Sequence, residues 1–505
     1  MSQTSSLVQG EGGYPFLPLD FPAPTSLLAQ AESRRVKTQA SLVPTEQAQR
    51  GQYFTPLKVA QLMSGLARLP GQSAVKILDP GAGSGILSVA LVSRLLAEKP
   101  DLKISLTVVE NDAALHPALL KSLRELEKLG SVKTFLVGQN FLEWALGTDQ
   151  RFDLVIQNPP YAKLSAQDRG QKLLRSRGVT VPNIYAAFML LGVQLLKDGG
   201  QQISITPRSW MNGSYYAKFR QDFTALVGLD SIHVFESRDR VFADSEVLQE
   251  ALIVSARKGV FPDQIRLTSS HDQHALSASR TVPYTDVVTP DFIYLPATDR
   301  DAEAVSWMHR HASSHLSDLG LGVSTGKVVG FRAKELLSQA YLPGAYPLIQ
   351  TSHLSNGEVQ HPGETGKKPS WYIGLTEEDK KVLLPAGTYV LLKRFSTKEE
   401  KRRLVAAVWS SDTPSAFDNK LNYIHQTGKG LDPELAQGLA LYLNSGQADN
   451  YFRVFSGHTQ VNAGDMKKLL FPSLDQLGAL GKISCKSQDE IDSAVEKILS
   501  KSGKD

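Results

Sequence analysis

The sequence predicts an α/β protein, with a mostly parallel sheet covered by helices on both faces and a second domain of shorter, mixed elements behind it. Three observations carry this prediction. From Gln47 onward, apolar strand patterns alternate with amphipathic helix patterns, as a parallel sheet requires. A glycine-rich turn joins the first strand to its helix, and after Lys258 the chain changes texture, with a Ser/His-rich stretch and several prolines. At 505 residues the chain also exceeds the roughly 250–300 residues at which a single core stops growing, so two domains are expected.

Taken in order, residues 1–45 are rich in Gly, Pro, Ser and Gln and hold no sustained period. They predict a flexible or partly docked arm, with Tyr14-Pro15-Phe16-Leu17 as the segment that could dock. A helix through Leu57–Leu69 leads to the strand Val75–Leu78, the glycine turn, the helix Ile86–Leu96 and the strand Ile104–Val109. Next come the helix Leu115–Leu129 and strands at Lys133–Val137 and Phe152–Ile156. The apolar helix Tyr185–Leu196 is read as stopped by Gly199-Gly200, before strands Gln202–Thr206 and Val247–Ser255 close this half. The boundary is placed between about Pro283 and Leu319, giving domains over 46–300 and 301–505. Ser487 with Glu490 caps a final amphipathic helix carrying Ile491, Val495, Ile498 and Leu499.

Composition narrows the function classes. No stretch approaches the roughly 18 apolar residues of a membrane span, and Met1 to Gln9 lacks a basic head and an apolar signal core, so a cytoplasmic protein is expected. The single cysteine, Cys485, excludes an internal disulfide and a multi-cysteine zinc site. His309, His311 and His315 have no carboxylate pattern beside them, and no metal is predicted. The net charge of +4 is too small to announce a nucleic-acid binder by itself.

Two motifs carry chemistry. In Leu78-Asp79-Pro80-Gly81-Ala82-Gly83-Ser84-Gly85 the glycines let the backbone turn sharply and approach a ligand, but Ile86 stands where a dinucleotide fingerprint needs its third glycine. A nicotinamide cofactor is therefore disfavoured. The next strand ends in Glu110, placed to hold two ribose hydroxyls through two acceptor oxygens. The second motif is Asn158-Pro159-Pro160-Tyr161. Its two prolines remove two backbone donors and fix the chain, so the turn presents acceptors beside the flat Tyr161 ring. Acceptors with a stacking face suit a planar ring that bears an amino group.

These motifs, in this order, resemble those of S-adenosylmethionine-dependent amino-methyltransferases acting on adenine in DNA. The preceding Gly51-Gln52-Tyr53-Phe54-Thr55-Pro56 resembles the segment that lies N-terminal to the glycine loop in the gamma-type arrangement. The second half matches too: Val323–Val329, Lys393–Ser396, Asn419–Tyr423 and Gly457–Ala463 resemble the C-terminal half of BsuBI/PstI-type modification methyltransferases. The resemblance implies a class I, Rossmann-like methyltransferase domain and a mixed α+β target-recognition domain. S-adenosylmethionine would contact Tyr53, Thr55, Asp79, Gly81, Ala82, Gly83, Glu110, Asn140 and Phe141, with Asn140 replacing the family's usual aspartate. Asn158, Pro159, Pro160 and Tyr161 would be catalytic, and Phe242 would complete a sandwich around the flipped base with Tyr161.

Lys163, Arg169, Lys172, Arg175 and Arg177 follow the tetrapeptide and are candidate contacts to the DNA backbone, although such a cluster can equally be a solvated face. No nuclease carboxylate-lysine cluster is visible, so modification without cleavage is expected, alongside a separate endonuclease of the same specificity or as an orphan mark. A monomer acting on double-stranded DNA is the expected assembly. The amino group of cytosine, RNA and protein glutamine remain as alternative substrates, and a DNA-binding module without catalysis as the alternative class. Methylation at carbon-5 of cytosine is excluded, because it needs a cysteine nucleophile and Cys485 lies in Ser-Cys-Lys far along the chain.

Overall fold

The first half of the chain is organised by one nine-stranded sheet. A computed structural model describes residues 26–43, 45, 47, 51–164, 169–235, 251–270, 276–289, 291–296, 298–355, 357–363, 368–396, 400–455 and 460–500. The expected docking segment at Tyr14–Leu17 lies outside these. Helix α1 (Ser26–Ser41) belongs to the first unit, where Leu28 and Ala31 enter the core and Arg34 forms a bidentate pair with Glu125 at 2.8 and 2.5 Å. The stretch expected as an arm thus contains a packed helix.

After α2 (Leu57–Gly65) come β1 (Ala74–Pro80), α3 (Ile86–Glu98), β2 (Lys103–Val109), α4 (His116–Glu127) and β3 (Val132–Val137). Then α5 (Phe141–Gly147), β4 (Phe152–Gln157), α6 (Arg169–Ser176), α7 (Ile184–Gln194), β5 (Leu196–Pro207), α8 (Ala217–Leu226), β6 (Val227–Phe235), β7 (Ala251–Lys258), β8 (Gln264–Ser270) and β9 (Leu276–Pro283) complete the unit. The strand order is β3-β2-β1-β4-β5-β7-β6-β8-β9. Strands β1 to β5 pair in parallel, and β7 runs antiparallel to both β5 and β6.

Two sequence expectations are corrected here. Gly199 and Gly200 do not stop a helix: α7 ends at Gln194, and the glycines lie inside β5, where the register against β4 shifts. A Cβ at Gly200 would stand 2.8 Å from the Lys197 carbonyl, so glycine is what that irregularity requires. The strand at 251–258 does not close the sheet either, since β8 and β9 extend it.

The topology places the site. Pairing of Ile77 with Leu154 and of Pro80 with Val109 sets the carboxyl ends of β1, β2 and β4 side by side. The strand order reverses between β1 and β4, the kind of switch point where open α/β sheets bind ligands. Beneath it, α3 buries Ile86, Leu87, Val89, Leu91, Val92 and Leu95 against the sheet.

The chain divides between Thr285 and Asp286, against a division at 300/301 within the expected interval of about Pro283 to Leu319. Phe292 and Tyr294 already belong to the core of the second unit, as do Val305 and Met308 of α9 (Asp299–His311), a helix whose capping box joins Thr298 and Asp301. In that unit a six-stranded sheet is built around β10 (Gly322–Thr325), β16 (Gly387–Lys393), β17 (Ala406–Ser411) and β19 (Leu421–His425); the shorter strands β11 (Leu337–Ser338), β12 (Tyr346–Ile349), β13 (Leu354–Ser355), β14 (Glu358–Val359), β15 (Trp371–Tyr372) and β18 (Ala416–Phe417) lie between them in sequence. The final helix, α10 (Gln488–Leu499), starts at Ser487, whose hydroxyl accepts from the Glu490 N–H, and buries Val495 and Leu499. Among the described residues no helix is long and apolar enough to cross a membrane.

Candidate active site

The glycine turn after β1 has a conformation that few side chains tolerate. Gly81, Gly83 and Gly85 hold φ angles of 72°, 57° and 86°. The Gly81 N–H donates to the Val109 carbonyl at 2.8 Å, and the Gly83 N–H donates to Glu110 Oε2 at 2.9 Å. The other carboxylate oxygen of Glu110 accepts from the Asp112 N–H at 2.8 Å. Burial raises the pKa of this carboxyl, opposed by the two backbone N–H groups that favour its charged form.

Asp79 stands behind the turn instead of on the cavity wall. It is fully buried, its Oδ2 accepts from the Ser88 hydroxyl at 2.6 Å, and its Oδ1 has no partner among the described residues. Desolvation, with a smaller contribution from Glu110, pushes its pKa up to about 7. Asp79 thus ties the turn to α3 through Ser88 and does not line the cavity.

The turn after β4 is held by a segment about a hundred residues earlier in the chain. Asn158 Nδ2 donates to the Tyr53 carbonyl at 2.8 Å and to Thr55 Oγ1 at 3.0 Å. With both hydrogens used, the amide orientation is fixed, and Oδ1 is left buried with no partner among the described residues. The Tyr161 N–H donates to the Gly51 carbonyl at 3.1 Å. Gly51 has φ 62°, and a Cβ there would lie 2.6 Å from the Ala162 nitrogen and 2.7 Å from the Tyr161 nitrogen. The Tyr161 ring lies 5.6 Å from that of Tyr53 and 6.2 Å from that of Tyr185, and its hydroxyl donates to the Ile205 carbonyl at 3.3 Å.

A cavity of about 770 Å³ opens between the turns, within the roughly 300–1,000 Å³ typical of small-molecule sites. Of the residues singled out in the sequence, Tyr53, Gly81, Gly83, Glu110, Asn140, Phe141, Asn158 and Pro160 line it. Thr55, Asp79, Ala82, Pro159 and Tyr161 do not line it. Asn140 caps α5, its Oδ1 accepting from the Leu142 N–H at 2.9 Å and the Glu143 N–H at 3.4 Å. Phe242 lies outside the described residues. Lys163 and Arg169 reach the cavity rim, where Arg169 pairs with Glu143 at 3.2 Å; Lys172, Arg175 and Arg177 are exposed outside it. Phe54 and Phe188 were not anticipated on the wall. Phe188 sits on an all-apolar helix that periodicity reads as core, and its ring lies 4.5 Å from that of Phe141.

Comparison with known proteins decides the family. A family described as Eco57I restriction-modification methylase matches residues 93–242. The chain is 38% identical over 474 residues to type II methyltransferase M.BsuBI of Bacillus subtilis, covering 89% of this chain and 94% of that protein. It is 35% identical over 477 residues to type II methyltransferase M.PstI of Providencia stuartii, covering 90% and 93%. The chain belongs to this family of type II methyltransferases. A release factor glutamine methyltransferase of Rhodopirellula baltica is 32% identical over 145 residues, 27% of this chain and 46% of that protein.

The methyltransferase has the class I fold and uses S-adenosylmethionine. The cavity walls fit that cofactor. A Cβ on Gly81 would come within 3.4 Å of the Phe188 ring and one on Gly83 within 3.6 Å of Phe54, so both glycines leave a cradle that side chains would fill. Both Glu110 oxygens keep a lone pair beyond their backbone N–H bonds, which ribose hydroxyls can use.

Proposed function

We propose that this methyltransferase modifies the exocyclic amino group of adenine in double-stranded DNA, working as a monomer and protecting its host's DNA from a separately encoded endonuclease. One observation carries the reading above the others: the Asn158 Oδ1, buried and without a partner among the described residues, in an amide whose hydrogens are held by Tyr53 and Thr55. An orphaned buried acceptor is costly unless a donor arrives with the substrate. An amino group supplies that donor.

S-adenosylmethionine, when bound, supplies an electrophilic methyl group. The chain's own part is to prepare the nitrogen. Adenine's amino lone pair is delocalised into the ring, and hydrogen bonds from the amino group to Asn158 Oδ1 and the Pro159 carbonyl favour a tetrahedral nitrogen available for direct, in-line transfer. No covalent link to the enzyme is needed. A base inside a duplex cannot reach this cavity, so the target nucleotide is rotated out of the stack, and Tyr161 and Phe242 replace its lost neighbours. Residues 286–505 read the target sequence, with Lys163, Arg169, Lys172, Arg175 and Arg177 along the DNA backbone.

The likeness to a release factor glutamine methyltransferase spans only 27% of the chain, against about nine-tenths for the type II methyltransferases. Single-molecule sequencing of DNA from cells expressing the chain, set against cells carrying Asn158→Ala, tests the proposal. An adenine mark confined to one motif, present only with the intact chain, is expected. Marked cytosine would move the reading to that base, and unmarked DNA in both strains would remove DNA as the substrate.

A further inference from the structure

Stretches far apart in the second half of the sequence meet in one place in the second unit. Thr325 at the end of β10 stands opposite Asn422 of β19, and its hydroxyl donates to Asn422 Oδ1 at 2.9 Å. Asn422 Nδ2 donates in turn to the Val461 carbonyl at 2.6 Å. The Arg394 N–H donates to the Lys420 carbonyl at 3.0 Å, and the Val461 N–H donates to the Arg394 carbonyl at 2.7 Å. The Arg394 guanidinium spans the same junction, from the Asn419 carbonyl at 3.1 Å to Gln460 Oε1 at 3.4 Å.

The turn at 327–334 leaves this junction. Gly326 is needed there, because a Cβ would stand 2.2 Å from the Asp418 carbonyl. The Val328 N–H donates to the Phe417 carbonyl at 3.0 Å, the Asn419 N–H to the Val328 carbonyl at 2.9 Å, and the Arg332 N–H closes the turn on the Val329 carbonyl at 2.9 Å. These bonds shape the turn without using the Phe331 side chain, which is 80% exposed. The Arg332 guanidinium lies over the Phe331 ring at 5.5 Å. Lys327, Arg332, Lys334 and, across the junction, Lys420 are exposed as well, and none forms an ion pair with a described residue. Asp418 is buried and accepts from the Lys420 N–H, which leaves Glu335 as the exposed acid of the turn.

Lys327 Nζ donates to the Lys381 carbonyl at 3.2 Å, so these cations lack carboxylate partners among the described residues without all being free of hydrogen bonds. An exposed aromatic ring set among such cations forgoes the burial a phenylalanine normally gains and repels basic partners. Its complement is a ligand that offers flat apolar faces and closely spaced negative charges together. Nucleic acid has both. We propose that the 327–334 turn is a DNA-contacting element, in which Phe331 stacks on bases while Lys327, Arg332 and Lys334, with Lys420 beside them, neutralise phosphates. The inference rests on the proposed action on DNA and assigns residues of the second unit to substrate binding.

The test uses the full chain and plasmid DNA from a host without adenine methylation, with binding followed across a salt series and methyl transfer followed from labelled S-adenosylmethionine. Calorimetric binding of S-adenosylmethionine is the control. The combined Lys327→Ala, Arg332→Ala and Lys334→Ala variant should lower the slope of log affinity against log salt by about two to three, since each phosphate contact contributes about 0.9. Phe331→Ala should weaken binding by roughly tenfold or more with the slope unchanged, and Phe331→Tyr should restore it. If the parent methylates DNA and these variants match it in affinity and slope, the turn is not a DNA contact and the proposed function stands. If the parent transfers no methyl group to DNA, both proposals fall. If Phe331→Ala and Phe331→Tyr both lose S-adenosylmethionine binding along with DNA binding, the residue is structural and this inference is overturned.

Discussion

The Asn158 side-chain amide donates to the Thr55 hydroxyl at 3.0 Å, joining the turn after β4 to the segment that precedes α2. Thr55 is buried and does not reach the cavity, so it acts on the chemistry only through the orientation it gives Asn158. Thr55→Val keeps the shape and removes the acceptor. It should lower kcat by about tenfold, the equivalent of one hydrogen bond of about 1.4 kcal/mol, while the KM for S-adenosylmethionine stays within about twofold. Thr55→Ser should recover most of the loss. Steady-state kinetics with both variants checks the split between kcat and KM that a merely structural role would not produce.

Glu110 is held from both sides, by the Gly83 N–H on one oxygen and the Asp112 N–H on the other. A glutamine in its place must turn its NH₂ group toward one of these donors, so one N–H is left facing another. Glu110→Gln should therefore weaken S-adenosylmethionine binding by about 10- to 100-fold, the range expected when a buried donor loses its acceptor at a cost of about 1–3 kcal/mol. Isothermal titration calorimetry with the cofactor measures it directly.

What was legible in the sequence follows a physical division. Strands β1, β2 and β4 are apolar runs ended by Gly, Glu and Asn-Pro, so both their pattern and their stops are local, and the motif residues at their ends could be read without coordinates. Strand β8 leaves only a short signal, because Ile265 and Leu267 are its buried apolar side chains and its last part buries Thr268 and Ser270 instead. His233 on β6 is buried with Nδ1 bonded to Thr268 Oγ1 at 2.9 Å and Nε2 to Ser270 Oγ at 3.0 Å, a pairing that hides two hydroxyl side chains from any hydrophobic pattern. Gly199-Gly200 were read as a helix stop because glycine punctuates helices and irregular strands alike. For Asp79, spacing alone does not distinguish a side chain on the cavity wall from one directly behind it. Thr55 and Asn158 are 103 residues apart, and only the tertiary fold shows what one does for the other.

Asn140 lines the cavity and spends its side-chain oxygen on the Leu142 and Glu143 N–H groups at the start of α5, so its NH₂ takes no part in the cap. Asn140→Asp keeps the cap with one oxygen, adds a second acceptor and puts a negative charge at a helix N-terminus. S-adenosylmethionine should bind about three- to tenfold more tightly to this variant, an increase that calorimetry resolves. Unchanged affinity would show that the cofactor makes no contact at this position.

Asp79 gives the first unit a pH dependence of unusual sign for a carboxylate. Burial raises its folded-state pKa to about 7, above the ordinary value near 3.8 that applies once the chain unfolds. Between those values the folded state binds the proton and the unfolded state does not, so the contribution to stability is complete below about pH 4 and is lost as the pH rises through about 7. Within that window the loss approaches about 1.4 kcal/mol per pH unit. Asp79→Asn retains an acceptor for the Ser88 hydroxyl and has no proton to lose. Urea denaturation at pH 5, 6 and 7, values set by this window, should therefore show the parent losing stability relative to Asp79→Asn at each step. Parallel curves would mean that Asp79 is already ionised in the folded protein, with its unpartnered oxygen satisfied by water.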